Sequence, residues 1–289
     1  MLIVESHSYS ERGNWNEAAQ SSLDVLRLGH DTSRGGVTFD FTAGALINAI
    51  GRRELWTILP HLNAPEAKLS ARQLEKIIQT QTPLADILRE EKSYGQAGLL
   101  EIMRTRGWRS VVSTYAENFT ELKDTFEIAT TSCRVFLNNF SAHMDSLIVD
   151  SEKPYAYSGI SATTPNDVHI KTITPDYQLT RWNFARDEAS NDLFLVALAL
   201  RAYRLENNSY PENLKQLTPK YIAKIPADPF GAGESLRYKT AGAEYSLYSI
   251  GPDGIDNGGR VIEDKRNEKS SRNIVSPESK GDFVAGINH

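Results

Sequence analysis

Apolar residues recur at helical spacing through the first half of the chain. Ala18, Leu23, Leu26 and Leu28 fit a first helix that follows the turn signal Gly13-Asn14, and the loop Asp31 to Gly36 ends it. A second helical stretch, Phe39 to Leu59, offers Phe41, Ala45, Ile47, Leu55 and Ile58 to the core and stops at Pro60. A third begins after Pro65, with Ser70 as its expected cap and Leu74, Ile77 and Ile78 in phase. Pro83 opens a fourth where proline is tolerated, and Leu84, Ile87, Leu88, Leu99, Leu100 and Met103 continue it. Helices joined by short loops imply an antiparallel bundle or a helix-pair array. From Gly107 to Leu147 the pattern resumes, with Val111, Val112, Tyr115, Phe119, Leu122, Phe126, Ile128, Val135, Phe136, Leu137 and Phe140 as core positions.

Ser151 to Pro175 breaks the pattern: Pro154, Gly159, Pro165 and Pro175 sit among Ser, Thr and Asn, which reads as a linker or an excursion. The strongest helix follows, from Asp176 or Tyr177 to Glu206. Leu193, Val196, Ala197, Leu200 and Tyr203 form one stripe, and Phe194, Leu195, Leu198 and Leu205 cover much of the rest. A helix this apolar must be covered from several sides. Asn207 and Asn208 end it and Pro211 prevents its resumption. A short helix or turn over Leu214 to Tyr221, an extended crossing forced by Pro226 and Pro229, and two strands complete the pattern. The strands, Ser235 to Lys239 and Glu244 to Ser249, are joined by a tight turn around Ala241 and Gly242. The expectation is an α+β chain: a helical domain over 1–150, a linker over 151–175, and a small module over 176–289 with a long helix and a short antiparallel sheet.

Composition narrows the function classes. Hydrophobic residues make up 40% of 289 and charged residues 24%, as in a soluble globular protein. The net charge of -5, with Lys and Arg scattered, gives a nucleic-acid surface no support. No apolar run approaches the roughly 20 residues that span a bilayer; Leu193 to Leu200 comes nearest and is bounded by Asp192 and Arg201. Met1 to Val4 is too short for a signal core, and both a start at Met1 and an omitted N-terminal anchor fit it. Cys133, the single cysteine, reads as a small half-buried residue. Among His7, His30, His61, His143, His169 and His289 no two have the spacing of a helical metal pair, and no HExxH, GxSxG, GxGxxG or phosphate-loop motif occurs. His143 with Asp145 is a weak general-base candidate that reads better as a packed polar side chain. Trp15, Trp56, Trp108 and Trp182 read as separate core anchors, with a carbohydrate-stacking platform as the alternative. The run Arg89, Glu90, Glu91, Lys92 reads as a solvated face.

One stretch carries chemistry of its own. In Tyr245 to Gly259, YSLYSIGPDGIDNGG, a short strand runs into a loop that holds Asp253 and Asp256 among Gly251, Gly254, Gly258 and Gly259. It reads either as a polar surface turn or as a hard-cation site, with calcium as the ion. Calcium takes about six to eight oxygens in irregular geometry, and glycines let carbonyls turn inward.

The runs LALRAYRLENNSYPENLKQL, IPADPFG, LRYK and YSLYSIGPDGIDNGG, in that order, resemble the C-terminal globular region of the major pseudopilin of bacterial type II secretion systems. The resemblance covers Asp192 to Gly259, with a last piece at Gly281, Asp282, Phe283 and Val284. The wider layout resembles bacterial envelope-type proteins that place a helical region before such a module. The resemblance implies a pseudopilin-like fold for the module, protein partners, an envelope or extracytoplasmic location, and a structural Ca2+ loop. The Ile250 carbonyl and the Asp253 carboxylate match the first half of the family's calcium loop, and Asp282 resembles the later aspartate that closes it. Asp256 is added from its position alone. Two departures matter. Nothing in Met1 to Ser10 matches the family's cleavage motif, so filament assembly by the usual route is not expected. The charged insertion from Glu263 to Lys269 separates Asp282 from the rest of the loop.

The expected function is a non-catalytic secretion- or envelope-associated protein with a helical interaction domain and a structural calcium loop. The alternative is a hydrolase or glycan-binding protein whose cleft lies between the two regions, with the segment 151–175 as a lid.

Overall fold

A computed structural model describes residues 1–107, 132–155, 174–262 and 275–287 of the chain. Its first helix, α1 (Leu2–Glu11), precedes the one that the spacing anticipates. No apolar stripe announces it. Ser6 ties it in instead, fully buried, donating to the Ala18 carbonyl at 3.0 Å and lying 2.8 Å from Ser22 Oγ.

Helices α2 (Trp15–Thr32) and α3 (Thr38–Ile58) pack backbone against backbone at Gly29 and Gly44. A Cβ on Gly44 would stand 2.3 Å from the Gly29 carbonyl oxygen, so only glycine fits. Leu28, expected on the core face of α2, is exposed. The buried stripe runs through Leu23, Leu26 and His30, and Leu28 lies two residues from Leu26, about 200° round the helix. Helix α4 (Ala64–Gln79) is capped by Asn63, not Ser70. Asn63 Oδ1 accepts from the Glu66 amide at 3.0 Å and Glu66 Oε2 accepts from the Asn63 amide at 2.9 Å, a reciprocal capping box. Ser70 lies inside the helix, fully buried.

Helices α5 (Leu84–Arg106) and α6 (Cys133–Ser151) share a satellite core of Leu84, Leu88, Leu99, Phe136, Phe140 and Met144. Leu100 and Val135, expected in the core, are exposed. Val111, Val112, Tyr115, Phe119, Leu122, Phe126 and Ile128 lie outside the described residues. The run from Arg89 to Lys92 ties helices together as well as meeting solvent. Glu91 accepts from the amide and hydroxyl of Thr38 at 2.8 and 2.7 Å, capping α3, and Lys92 reaches Asp145 on α6 at 2.7 Å.

The long helix α7 (Tyr177–Asn207) starts at Asp176, whose side chain accepts from the Leu179 amide, and ends at Asn208, left-handed at φ 58. Every residue from Ala189 to Leu200 is buried. Helices α3 and α4, the 3-10 turn Leu214–Leu217 and the sheet all pack on it. One core therefore joins Leu26, Leu55 and Leu74 of the N-terminal helices to Phe194 and Leu198 of α7 and to Leu247 and Phe283 of the sheet. No helix among the described residues is long and apolar enough to cross a membrane.

The sheet is antiparallel with order β1-β2-β3: β1 (Arg237–Ala241), β2 (Glu244–Ser249) and β3 (Phe283–Val284). The hairpin register pairs Ala241 with Glu244, so the turn is Gly242-Ala243, one residue later than the sequence suggests, with Gly242 at φ 62. Ser235, expected in β1, instead bridges Ala227. Leu247, Tyr248 and Ser249 are consecutive and all buried, which requires cover on both faces of β2. The chain is thus α+β, mainly helical, with the sheet packed on α7.

Candidate functional site

The loop that follows β2 is closed by a residue far along the chain. Val261 and Asp282 form a parallel bridge, in which Asp282 donates its amide to the Arg260 carbonyl at 2.8 Å. This places the fully buried Asp282 carboxylate inside the turn 257–260. Its Oδ1 accepts from the Asn257 amide at 3.2 Å, and its Oδ2 accepts from the amides of Gly259 at 2.7 Å and Arg260 at 3.1 Å. Gly258 at φ 75 and Gly259 at φ 89 turn these amides inward as an anion-accepting nest. Burial pushes the Asp282 carboxyl above its ordinary range, against the pull of the amides.

Asp253 works at the other side of the same turn. Its Oδ1 accepts from the Ile255 amide at 3.1 Å, and its Oδ2 from the Gly281 amide at 3.3 Å and Asn257 Nδ2 at 3.4 Å. Asp253 and Asp282 therefore meet across Asn257 and Gly281. Asp256 stands on the exposed rim. Its Oδ1 accepts from the Gly258 amide at 2.9 Å and Tyr248 Oη at 3.0 Å, and its Oδ2 faces Arg237 Nε at 3.4 Å. The Gly258 amide leads in holding its pKa down, while burial and then Asp256 push the Tyr248 hydroxyl up to about 12. Ile250 sits at the entrance to the loop, its amide donating to Asp228 Oδ2 at 3.0 Å. Glu263 to Lys269, the charged insertion, lies outside the described residues.

The donor chemistry of these four residues suits calcium in kind, since all offer hard oxygens, those of Ile250, Asp253 and Asp256 from the loop after β2 and that of Asp282 from the segment that bridges back to it. Their oxygens are already engaged: every carboxylate accepts amides, and among the described residues no group of three His, Cys, Asp or Glu side chains converges as a metal site. A cation here would share oxygens with the amides that close the loop, which limits its affinity.

Asp228 of the ADPFG crossing is the residue that sequence reasoning missed. Buried, it accepts from Ser249 Oγ at 2.6 Å and from the amides of Ile250 and Phe230 at 3.0 Å each. It locks the crossing to the end of β2, where the loop begins. The signal was present, because an aspartate that bonds the amide two residues on is a turn former. Beside it on α7 lie Glu188 and the buried Asp192. Burial first, then Glu188 and Asp228, raise the Asp192 carboxyl well above its ordinary range, with Lys224 opposing. At the junction of α6, α7 and the crossing, a cavity of about 310 Å³ is lined by Pro154, Tyr155, Arg181, Glu188, Asp228 and Gly233 among others.

The remaining candidates are structural where described. Asp145 is turned to Lys92 and burial lowers the His143 pKa. Trp15 stacks on His61, Trp56 meets Phe194 edge-on, and Trp182 packs against Phe230 and Phe283. Trp108, His169 and His289 lie outside the described residues. Cys133 is half-buried against Met103.

Residues 183–267 match the family model of type II secretion system protein G. A curated relative, the type II secretion system core protein G of Pectobacterium carotovorum subsp. carotovorum, is 28% identical over 100 residues, which is 29% of this chain and 64% of the relative. The chain thus spans just under two thirds of that relative's length. No solved structure matches. The C-terminal part of the chain is a pseudopilin-like module, and its family match takes in most of α7, the crossing, the hairpin and the loop but ends before Asp282.

Proposed function

We propose that this chain is a non-catalytic, secretion-associated protein of the bacterial envelope, in which helices α1 to α6 form an interaction scaffold for the pseudopilin-like module. The observation that carries this reading is the complete burial of Ala189 to Leu200 within the family-matched segment. Helices α3 and α4 occupy the α7 surface through which another helix could pack, so partners must use other faces. The test is deletion of the gene in its own host, with site-specific crosslinking from the outer face of α3. The reading expects the chain in envelope fractions, crosslinks to secretion-system proteins, and less exported protein in the medium. A cytosolic chain with secretion unchanged would overturn it.

Within this reading the loop is a structural device, and calcium is proposed as a further stabiliser held by the Ile250 carbonyl with Asp253, Asp256 and Asp282. An ion that binds only the folded state adds RT ln(1 + [L]/Kd) to stability. Thermal unfolding in calcium against chelator decides it: the midpoint should rise by a few degrees in the parent and not in Asp253→Ala. An unchanged parent midpoint removes calcium and leaves the secretion reading intact.

A second reading, glycan binding or hydrolysis, is favoured by the junction cavity with its Glu188 and Asp228 carboxylates. Saturation-transfer NMR with cello- and chito-oligosaccharides tests it. Binding that Glu188→Gln abolishes would support it, and no transfer at millimolar sugar would end it.

A further inference from the structure

A separate cavity of about 160 Å³ opens between α3 and α7, lined by Ala45, Leu46, Ala49 and Arg52 from the first and by Arg186 and Asp187 from the second, among others. Its charge is unbalanced. Asp187 is fully engaged: Oδ1 accepts from Arg52 Nη1 at 2.6 Å and Oδ2 accepts from Asn48 Nδ2 at 3.0 Å and Asn191 Nδ2 at 3.4 Å. Two guanidiniums thus face one carboxylate. Two other titratable groups interact with Asp187: His30, which is buried, its pKa lowered by burial so that it stays neutral at pH 7, and Glu188, which lines the junction cavity instead of this one. Arg186 makes no ion pair among the described residues, and its own pKa is lowered by burial and then by Arg52.

Arg52 is 5% exposed, and among the described residues its hydrogen bonds all leave from Nη1, to Asp187 and to Asn191 Oδ1 at 2.8 Å. Its Nε is buried with no partner. The Nε–Nη2 edge is a fork that takes a carboxylate through two parallel hydrogen bonds, and here that edge is unspent. A buried donor without an acceptor is costly to keep, which points to an acceptor arriving from outside. The size of the space bounds the ligand, since an apolar cavity of about 150 Å³ holds benzene. The walls of Ala45, Leu46 and Ala49 are apolar, and Leu46 is exposed at the surface.

We propose that this cavity binds a carboxylate carrying a short apolar tail, with its two oxygens on the Nε–Nη2 edge of Arg52 and its charge balanced by Arg186. The carboxylate comes either from a free short-chain acid or from the C-terminus of a protein partner. The site is independent of the calcium loop and of the secretion reading.

The test is an amide NMR titration of the full chain at low ionic strength with butyrate, with neutral butyramide, and with a tetrapeptide ending in valine as free acid or amide. Butyrate should shift α3 and α7 amides saturably in the millimolar range, and butyramide should bind at least tenfold more weakly. A free-acid peptide that binds tighter than butyrate, with its amide silent, identifies a partner C-terminus; weaker peptide binding identifies a free acid. Ala49→Leu fills the cavity and Arg186→Gln removes the second cation, while both leave the Arg52–Asp187 bond in place. Each should weaken butyrate at least tenfold with the thermal midpoint unchanged; if Ala49→Leu fails to fold, Arg186→Gln carries the test. Absence of saturable shifts with butyrate and peptide, equal binding of butyramide, or butyrate binding untouched by folded Ala49→Leu or by Arg186→Gln would overturn the proposal.

Discussion

Asp228 and Asp282 secure the two ends of the loop after β2 in the same way, each with three donors on a buried carboxylate. Removing the Asp282 carboxylate leaves the three inward-turned amides of a part-buried turn without their acceptor. Asp282→Ala is expected to cost about 1–3 kcal/mol, and hydrogen exchange should report faster exchange at Asn257, Gly259 and Arg260. The neighbouring acidic group predicts the pH profile. Glu188, Asp192 and Asp228 all have raised carboxyl pKa values, with burial the leading cause in each. An acid whose folded pKa lies above its unfolded value binds more protons when folded, so stability falls as pH rises from the unfolded carboxylate range through the folded pKa. The protein should therefore gain stability on mild acidification from neutral pH. Asp192→Asn should raise the midpoint at pH 7 and flatten that slope, as thermal unfolding between pH 5 and pH 8 would measure. A slope unchanged in this variant would assign the effect to Glu188 or Asp228. Asp253 and Asp256 were legible because glycines surround them in one short run. Asp282 is visible through the family resemblance alone, since it stands 23 positions beyond Gly259, the glycine whose amide it accepts. The Arg52–Asp187 pair was not legible at all, because its partners stand 135 positions apart and neither breaks its helix pattern.

Among the elements, α2 and α3 depend on glycines that a stripe of apolar residues does not announce. A methyl group at Gly44 would meet the Gly29 carbonyl at 2.3 Å and Ser33 Oγ at 2.7 Å, and a backbone oxygen in a helix cannot move aside. Gly44→Ala gains helix propensity but should still destabilise by about 1–3 kcal/mol through overpacking. Gly98→Ala in α5 meets nothing within 4 Å and is the control, expected neutral or slightly stabilising in urea unfolding. Element type was readable from spacing because α2 to α5 and α7 bury stripes of apolar side chains. Helix α1 was not, because its anchor is a buried serine. The cap of α4 is ambiguous in the sequence for a related reason: Ser70 and Asn63 are both good capping residues, and the reciprocal bonds with Glu66 distinguish them. Strand β3 is too short for a periodic signal and exists through its pairing with Tyr248 and Ser249.

At the scale of the whole molecule, α7 makes the scaffold and the module energetically interdependent. Leu74 of α4 is fully buried in the same core that holds Leu198 of α7 and Leu247 and Phe283 of the sheet. A cavity opened under α7 removes contacts from a helix whose other sides hold the sheet, so the cost should spread beyond α4. Leu74→Ala is expected to lose about 2–5 kcal/mol. Urea unfolding read by far-UV circular dichroism follows the helices, and tryptophan fluorescence includes Trp182, which packs on Phe230 of the crossing and Phe283 of β3. The two curves should shift together and remain superimposed in the variant. Amides of β2, although distant in sequence from position 74, should lose protection by the same factor as those of α4. Loss of protection confined to α4, with β2 unaffected, would mean that the module holds its fold without the scaffold. The buried face of α7 between Ala189 and Leu200 would then be available to partners whenever α3 and α4 part from it.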